Sequence, residues 1–356
     1  MLTLEICSYG GHYGPTFFRY FHDMNEGIKN GSTTVGISLE LGTLGIASGI
    51  IDALAQFPKF PEFAANNTYN ASLVPDEVSR YMNFACHMPN GPSNIARCTE
   101  ATYMSPIPGR DNVEGPYYFY GSRNMYDIRR PADDPIVPQQ AFVDFLNLPA
   151  TRAALGIDRI PELSTVPTPN TTSSSFVYAA QSEAVYNVFT RAGDYVFPSF
   201  LADLEYLLEN GIRVLLMHGD ADYIANWFGG EAVSLALSYP QSFLFQAMPY
   251  TPLVFDDLES PENPDSPGNG NGSVQGKVRE YGNLSFAVVY DAGHFLPFDK
   301  PALALEMFRR AVANLDLPTG RGPTNNTAVP FAPDSPLSAA SADATTRDIS
   351  TSSPPS

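Results

Sequence analysis

The sequence predicts an α/β protein organised around a mostly parallel sheet. Short apolar runs at residues 2–6, 214–217 and 286–290 have the length and composition of buried parallel strands. Each run leads into a short segment that holds a residue capable of chemistry. These are Ser8 in Cys7-Ser8-Tyr9-Gly10-Gly11-His12-Tyr13, Asp222 in His218-Gly219-Asp220-Ala221-Asp222-Tyr223, and His294 in Asp291-Ala292-Gly293-His294. Ligands of open α/β sheets collect outside the carboxyl ends of the strands, so three such endings can converge on one site.

Singly, each residue has a plainer reading. Ser-Tyr-Gly-Gly can be a turn, Asp222 a helix cap and His294 a satisfied loop histidine. As a set they stand in the order Ser…Asp…His, which is that of the α/β-hydrolases and differs from the orders of chymotrypsin-like and subtilisin-like proteases. A free hydroxyl is a weak nucleophile. A tight strand-to-helix turn would expose Ser8, His294 would take its proton, and Asp222 would fix the imidazole tautomer and stabilise its charged form.

The words around these residues resemble the serine carboxypeptidase family, and its secreted or vacuolar fungal members in particular. Ser8-Tyr9-Gly10-Gly11-His12-Tyr13-Gly14-Pro15 is similar to the family's nucleophile segment, and Gly219-Asp220-Ala221-Asp222-Tyr223-Ile224-Ala225-Asn226-Trp227 to its acid segment. Ala292-Gly293-His294-Phe295-Leu296-Pro297, followed by Pro301, resembles the histidine segment. Asn124-Met125-Tyr126-Asp127-Ile128-Arg129 resembles the family's middle region. The resemblance extends from the first residues to about Asn314. It implies an α/β-hydrolase fold with a mostly parallel sheet and a helical cap insertion. It also implies removal of the C-terminal residue of peptides or proteins through an acyl-enzyme, with no cofactor and no metal. By the same resemblance the Tyr9 amide is an oxyanion donor, and Asn226 and Trp227 contact substrate.

Two positions depart from the family pattern. Ile6-Cys7 stands where the family has Gly-Glu before the serine. The glycine there relieves a strained turn that tolerates little bulk, and the glutamate helps recognise the substrate's terminal carboxylate. His12 reads as a helix-packing residue rather than a second base. The family's Trp-Asn-Gly-Gly-Pro-Gly type oxyanion segment does not occur in the sequence. The expectation is therefore a chain lacking the fold's N-terminal strands, with a mis-started gene model or a degenerate paralogue behind it. A weakened peptidase is expected too. An esterase or lipase on the same fold, or a catalytically inactive secreted carboxypeptidase-like protein, are the alternatives.

The 356 residues carry 20 Lys+Arg against 38 Asp+Glu, a net charge of -18. That argues against a nucleic-acid partner, whose phosphates need clustered positive charge. Sequons begin at Asn30, Asn66, Asn70, Asn170, Asn271, Asn283 and Asn325, a density that fits the secretory route and a secreted or vacuolar glycoprotein. The segment 1–7 is too short for a signal peptide and contains Glu5. The stretch 35–54 is broken by Glu40 and Asp52, so no membrane span is expected. Cys86 and Cys98 flank the turn-rich His87-Met88-Pro89-Asn90-Gly91-Pro92, and an oxidising compartment would favour a disulfide between them. Cys7 then reads as a small buried hydrophobe at a strand end.

Along the chain, residues 1–63 read as the first part of the core: the serine strand, a helix over 14–29 and a strand over 37–41. Residues 64–173 are rich in Asn, Pro, Tyr and Met and correspond to the cap. Their aromatic run Tyr117-Tyr118-Phe119-Tyr120 reads as cap packing ahead of substrate contact. The core resumes over 174–316, with a helix over 200–209 stopped by Asn210-Gly211. A Pro/Asn/Gly/Asp-dense excursion or hairpin connection follows at 256–276. The last helix, over 301–314, has proline in its first turn. Residues 317–356, rich in Pro, Ser and Thr, read as a disordered tail.

Overall fold

The computed structural model describes residues 2–87, 117, 119–135, 139–157, 177–180, 182–195, 198–255 and 272–323. The elements in chain order are β1 (Leu2–Cys7), α1 (Gly10–Lys29), β2 (Leu41–Ala47), α2 (Ala53–Gln56), α3 (Phe60–Ala65), α4 (Asp76–His87), α5 (Gln139–Asn147) and α6 (Pro149–Leu155). Then come α7 (Glu183–Ala192), α8 (Leu201–Glu209), β3 (Arg213–Gly219), α9 (Trp227–Ala236), α10 (Ser242–Ala247), β4 (Thr251–Phe255), β5 (Ser273–Tyr281), β6 (Leu284–Val289), α11 (Leu296–Asp299) and α12 (Pro301–Val312).

Among the described residues six strands form one sheet in the order β1-β2-β3-β6-β5-β4. The first four pair in parallel, while β5 and β4 complete the sheet as antiparallel neighbours. This is an α/β-hydrolase-like arrangement. Strand alternation sorts the side chains of β3 between two cores. Val214 and Leu216 point into a cluster with Phe18, Leu44, Leu204, Leu207 and Phe286, built from α1, α8 and the sheet. Leu215 and Met217 face the opposite cluster, where Leu303, Met307 and Ala311 of α12 cover the sheet. Beyond the carboxyl edge, Phe57, Phe60, Phe63 and Tyr117 gather around Tyr223. Tyr117 stacks on Tyr223 with centroids 3.8 Å apart, so this member of the aromatic run packs rather than lining open space. Phe119 and Tyr120 are exposed.

Several sequence expectations shift. Helix α1 begins at Gly10, four residues ahead of the expected 14, so Pro15 lies inside it. Strand β2 starts at Leu41, where the expected strand ended. Its two glycines lower its strand propensity, but parallel pairing on both sides overrides that. Antiparallel β4 and β5 flank the excursion, as a hairpin connection requires, and residues 256–271 lie outside the described set. At the C-terminal end the ordered fold continues past 316. Leu317 is fully buried, Arg310 Nη1 donates to its carbonyl at 2.7 Å, and Leu315 bridges to Pro323. Cys7 is exposed, not buried, because β1 is the edge strand of the described sheet. The Cys86–Cys98 pairing lies outside the described residues. So do Asn170, Asn271 and Asn325, whereas Asn30, Asn66 and Asn70 are exposed and Asn283 is half-buried. Among the described residues no helix is long and apolar enough to cross a membrane.

Candidate active site

Because β1, β2, β3 and β6 run parallel, their carboxyl ends share one edge of the sheet, and the three expected residues leave from that edge. Ser8 follows β1 directly and holds φ at +56°. That left-handed conformation is strained for a non-glycine residue and clusters at functional turns. The turn is fixed by its backbone. Ser8 N–H donates to Ala47 O at 3.1 Å, and Ser8 O accepts from Gly11 N–H at 2.9 Å and Ile50 N–H at 3.0 Å. The chain then enters α1 at once, with Tyr9 as the N-terminal flanking residue. The Tyr9 amide has no acceptor among the described residues, as befits one of the unsatisfied donors at a helix start.

Ile6 packs close against the start of α1, where two glycines leave room for it. A Cβ on Gly10 would fall 2.8 Å from Ile6 Cβ, and one on Gly14 only 2.0 Å from Ile6 Cδ1. The isoleucine thus occupies space that side chains on α1 would otherwise take.

Asp222 and His294 form a direct pair. His294 Nδ1–H donates to Asp222 Oδ2 at 2.8 Å, and both side chains are buried. Since a carboxylate only accepts, this bond puts the proton on Nδ1 of the neutral imidazole and leaves Nε2 as the basic nitrogen. The other carboxylate oxygen accepts from Ala225 N–H at 3.2 Å. Among the described residues no hydrogen bond joins the Ser8 hydroxyl to His294. Catalytic hydrogen bonds are often long without substrate.

The other expected site residues behave differently. Asn226 is buried and caps α9, accepting from Gly229 N–H at 3.0 Å and donating to Tyr223 O at 3.2 Å. Trp227 packs against both neighbouring cores, with Lys277 Nζ 3.9 Å from its ring centroid. His12 is buried against Phe200 at 4.7 Å between centroids, and burial pushes its pKa down, which agrees with a packing role. Among the described residues, no group of three His, Cys, Asp or Glu side chains is placed to hold a metal ion.

Two supports of the site had no role assigned from the sequence, although the second lies in the segment that resembles the family's middle region. Asp194, from the turn after α7, accepts the Tyr9 hydroxyl, and its carboxylate lies 3.8 Å from His12 Nδ1. Residues 125–128 tie the acid and histidine loops together. Met125 O accepts from Tyr223 and Ile224 N–H, both at 3.1 Å, Ile128 N–H donates to Ala221 O at 2.9 Å, and Tyr126 O accepts from His294 N–H at 2.7 Å. Neither follows a local pattern, since each joins segments far apart in the chain.

Comparison with known proteins gives a family and a fold. Residues 4–314 match the family described as serine carboxypeptidase, and the chain belongs to that family. Carboxypeptidase S1 homolog B of Arthroderma otae is 36% identical over 346 residues, covering 90% of this chain and 47% of that protein. Carboxypeptidase S1 of Penicillium janthinellum is 31% identical over 313 residues, covering 86% and 64%. A solved structure of Kex1(Δ)p, a prohormone-processing carboxypeptidase from Saccharomyces cerevisiae, superimposes with a TM-score of 0.58 at 18% identity. It covers 88% of this chain and 62% of its own, a likeness of fold. The chain spans about half the length of the first curated relatives it matches.

Proposed function

We propose that this chain is a serine-type carboxypeptidase that hydrolyses the C-terminal peptide bond of peptides or proteins through an acyl-enzyme. The observation that carries the reading is the buried Asp222–His294 hydrogen bond of 2.8 Å at the sheet edge from which Ser8 also leaves. Ser8 attacks the scissile carbonyl, His294 Nε2 takes the hydroxyl proton and later returns it to the leaving amine, and Asp222 holds the imidazole and stabilises its cation. The Tyr9 amide donates to the oxyanion, and Asn226 and Trp227 shape the substrate-facing loop. The sequons support passage through the secretory route, toward the cell exterior or the vacuole.

Ile6 and Cys7 weaken this activity. Cys7 stands where the family's carboxylate-recognising glutamate belongs, and Ile6 fills the room beneath the serine turn. Release of the C-terminal residue from blocked dipeptides at acid pH tests the reading. The chain carrying Ile6→Gly and Cys7→Glu is expected to release it faster than the natural chain, and Ser8→Ala in that background to abolish release. Hydrolysis of acyl esters without peptides would replace the proposal with an esterase. No hydrolysis by either chain would replace it with an inactive carboxypeptidase-like protein.

A further inference from the structure

Asp127 is buried between two arginines. Arg129 grips it in bidentate fashion, Nε to Oδ1 at 2.8 Å and Nη2 to Oδ2 at 2.7 Å, and Arg130 Nε reaches Oδ2 at 3.2 Å. Burial alone would raise the Asp127 pKa, but the two guanidinium groups outweigh it and hold the carboxyl below its ordinary range. The same Arg129 Nη2 lies 3.3 Å from Asp299 Oδ2. That oxygen also accepts the Gly293 amide at 2.6 Å. Gly293 immediately precedes His294, whose own amide is held by Tyr126 O at 2.7 Å. The fit is close, for a Cβ on Gly293 would fall 2.4 Å from Tyr126 O and 2.9 Å from Asp127 Cβ.

We infer that the Asp127–Arg129–Asp299 ion chain is a positioning device that sets the backbone of the histidine loop and so aims the His294 imidazole at Asp222. The inference rests on the reading of Asp222 and His294 as catalytic partners. Its physical basis is directional. A planar guanidinium bonded to a carboxylate in fork geometry fixes orientation as well as distance. A buried ion network adds little net stability over apolar packing, and geometric specificity is a better account of its presence. Arg129 spans the loop of Asp127, whose neighbours Met125 and Ile128 hold the acid loop. Through Asp299 it also spans the amide beside His294. One side chain therefore couples the two loops that must agree for the 2.8 Å bond to form. Without it, Asp299 keeps the Gly293 amide but loses its tie to Asp127, and no side chain of residues 124–130 then fixes the backbone beside His294.

Proton NMR of the chain tests this without requiring turnover. The His294 Nδ1 proton, held against Asp222, gives a downfield resonance. Arg129→Gln and Asp299→Asn are expected to shift or broaden it and to speed its exchange with water about tenfold. Circular dichroism should stay that of the folded chain, and Arg129→Lys should restore part of the signal. An unchanged resonance and exchange rate in a folded Arg129→Gln or Asp299→Asn chain would overturn the inference. So would failure of both variants to fold, which would make the network a folding element. Peptide release measured alongside separates the two readings. A natural chain that shows the NMR effect but never hydrolyses peptide sinks the catalytic assignment and leaves the positioning intact. Peptide release with an unmoved resonance sinks the positioning alone.

Discussion

The Cδ1 of Ile6 lies only 2.0 Å from where a Cβ on Gly14 would fall. No real pair of carbons tolerates that distance, so the two positions are coupled. The isoleucine beneath the serine turn is possible because α1 presents glycine to it. Gly14→Ala is expected to destabilise the natural chain by about 1–3 kcal/mol through overpacking. With Ile6→Gly in place, the same change should cost much less, since only Leu44 Cδ1, 3.2 Å from that Cβ, is left close and alanine is the better helix former. Urea midpoints of the four chains of this cycle give the coupling. Additive effects would mean that the helix shifts freely and that Ile6 does not constrain it.

This pair also explains where sequence reading failed at the head of α1. Gly10, Gly11 and Pro15 look like helix breakers, and a start at 14 puts proline in the first turn. The start at Gly10 is instead imposed from outside the helix, by the strand leading in and by Ile6 and Ile50 crowding its first residues. A Cβ on Gly11 would sit 2.3 Å from Ile50 O. The strand endings at Ser8, Asp222 and His294 were legible because buried parallel strands are short apolar runs. The same rule misplaced β2, whose Gly42 and Gly45 interrupt the run. The clamps at Asp194, Arg129 and Asp299 were illegible for a different reason. They are long-range contacts: Arg129 and Asp299 lie in or beside segments that resemble the family, but which partners their side chains reach is set by the packing of loops far apart in the chain.

The Tyr9 hydroxyl donates to Asp194, and burial followed by this bond pushes the Tyr9 pKa above its ordinary range. Asp194 is half-exposed, so its charge is partly screened and the bond's worth is reduced accordingly. Asp194→Ala is expected to cost about 1 kcal/mol in urea unfolding. In a Tyr9→Phe background the loss should shrink, because the hydroxyl that needs an acceptor is gone. Equal losses in both backgrounds would show that Asp194 acts through His12 or the loop backbone instead.

Asp220 gives a pH dependence with a definite sign. It is buried, accepts the Tyr69 hydroxyl at 2.7 Å, and has a pKa pushed up from 3.8 to about 6, chiefly by burial, with Asp291 adding to the rise. The folded chain therefore binds this proton more tightly than the unfolded one. The stability that goes with it is full below 3.8 and is lost as the pH rises through about 6. Asp220→Asn, which stays neutral, should gain thermal stability relative to the natural chain on moving from about pH 4 to about pH 7. A difference in Tm that is constant across this interval, or that moves the other way, would rule out a buried proton at Asp220.

The Asp222–His294 bond makes the sharpest prediction, because it assigns a tautomer. With a carboxylate at 222, Nδ1 must carry the proton and Nε2 is left basic toward Ser8. Asparagine is nearly the same shape but can offer its amide N–H to Nδ1, and it then stabilises the opposite tautomer, with the proton on Nε2. An imidazole protonated there cannot accept the serine proton. Asp222→Asn is therefore expected to leave the fold intact and to remove the downfield Nδ1 proton. In a chain made active by Ile6→Gly and Cys7→Glu, it should lower kcat by about 10⁴ with little change in KM. Asp222→Ala distinguishes orientation from charge. If the carboxylate served only as a buried counter-charge, Asn and Ala would be equally damaging and neither would reverse the tautomer. Nitrogen chemical shifts of a histidine-labelled chain report the tautomer directly. An Nδ1-protonated His294 in the Asp222→Asn chain would refute the assignment.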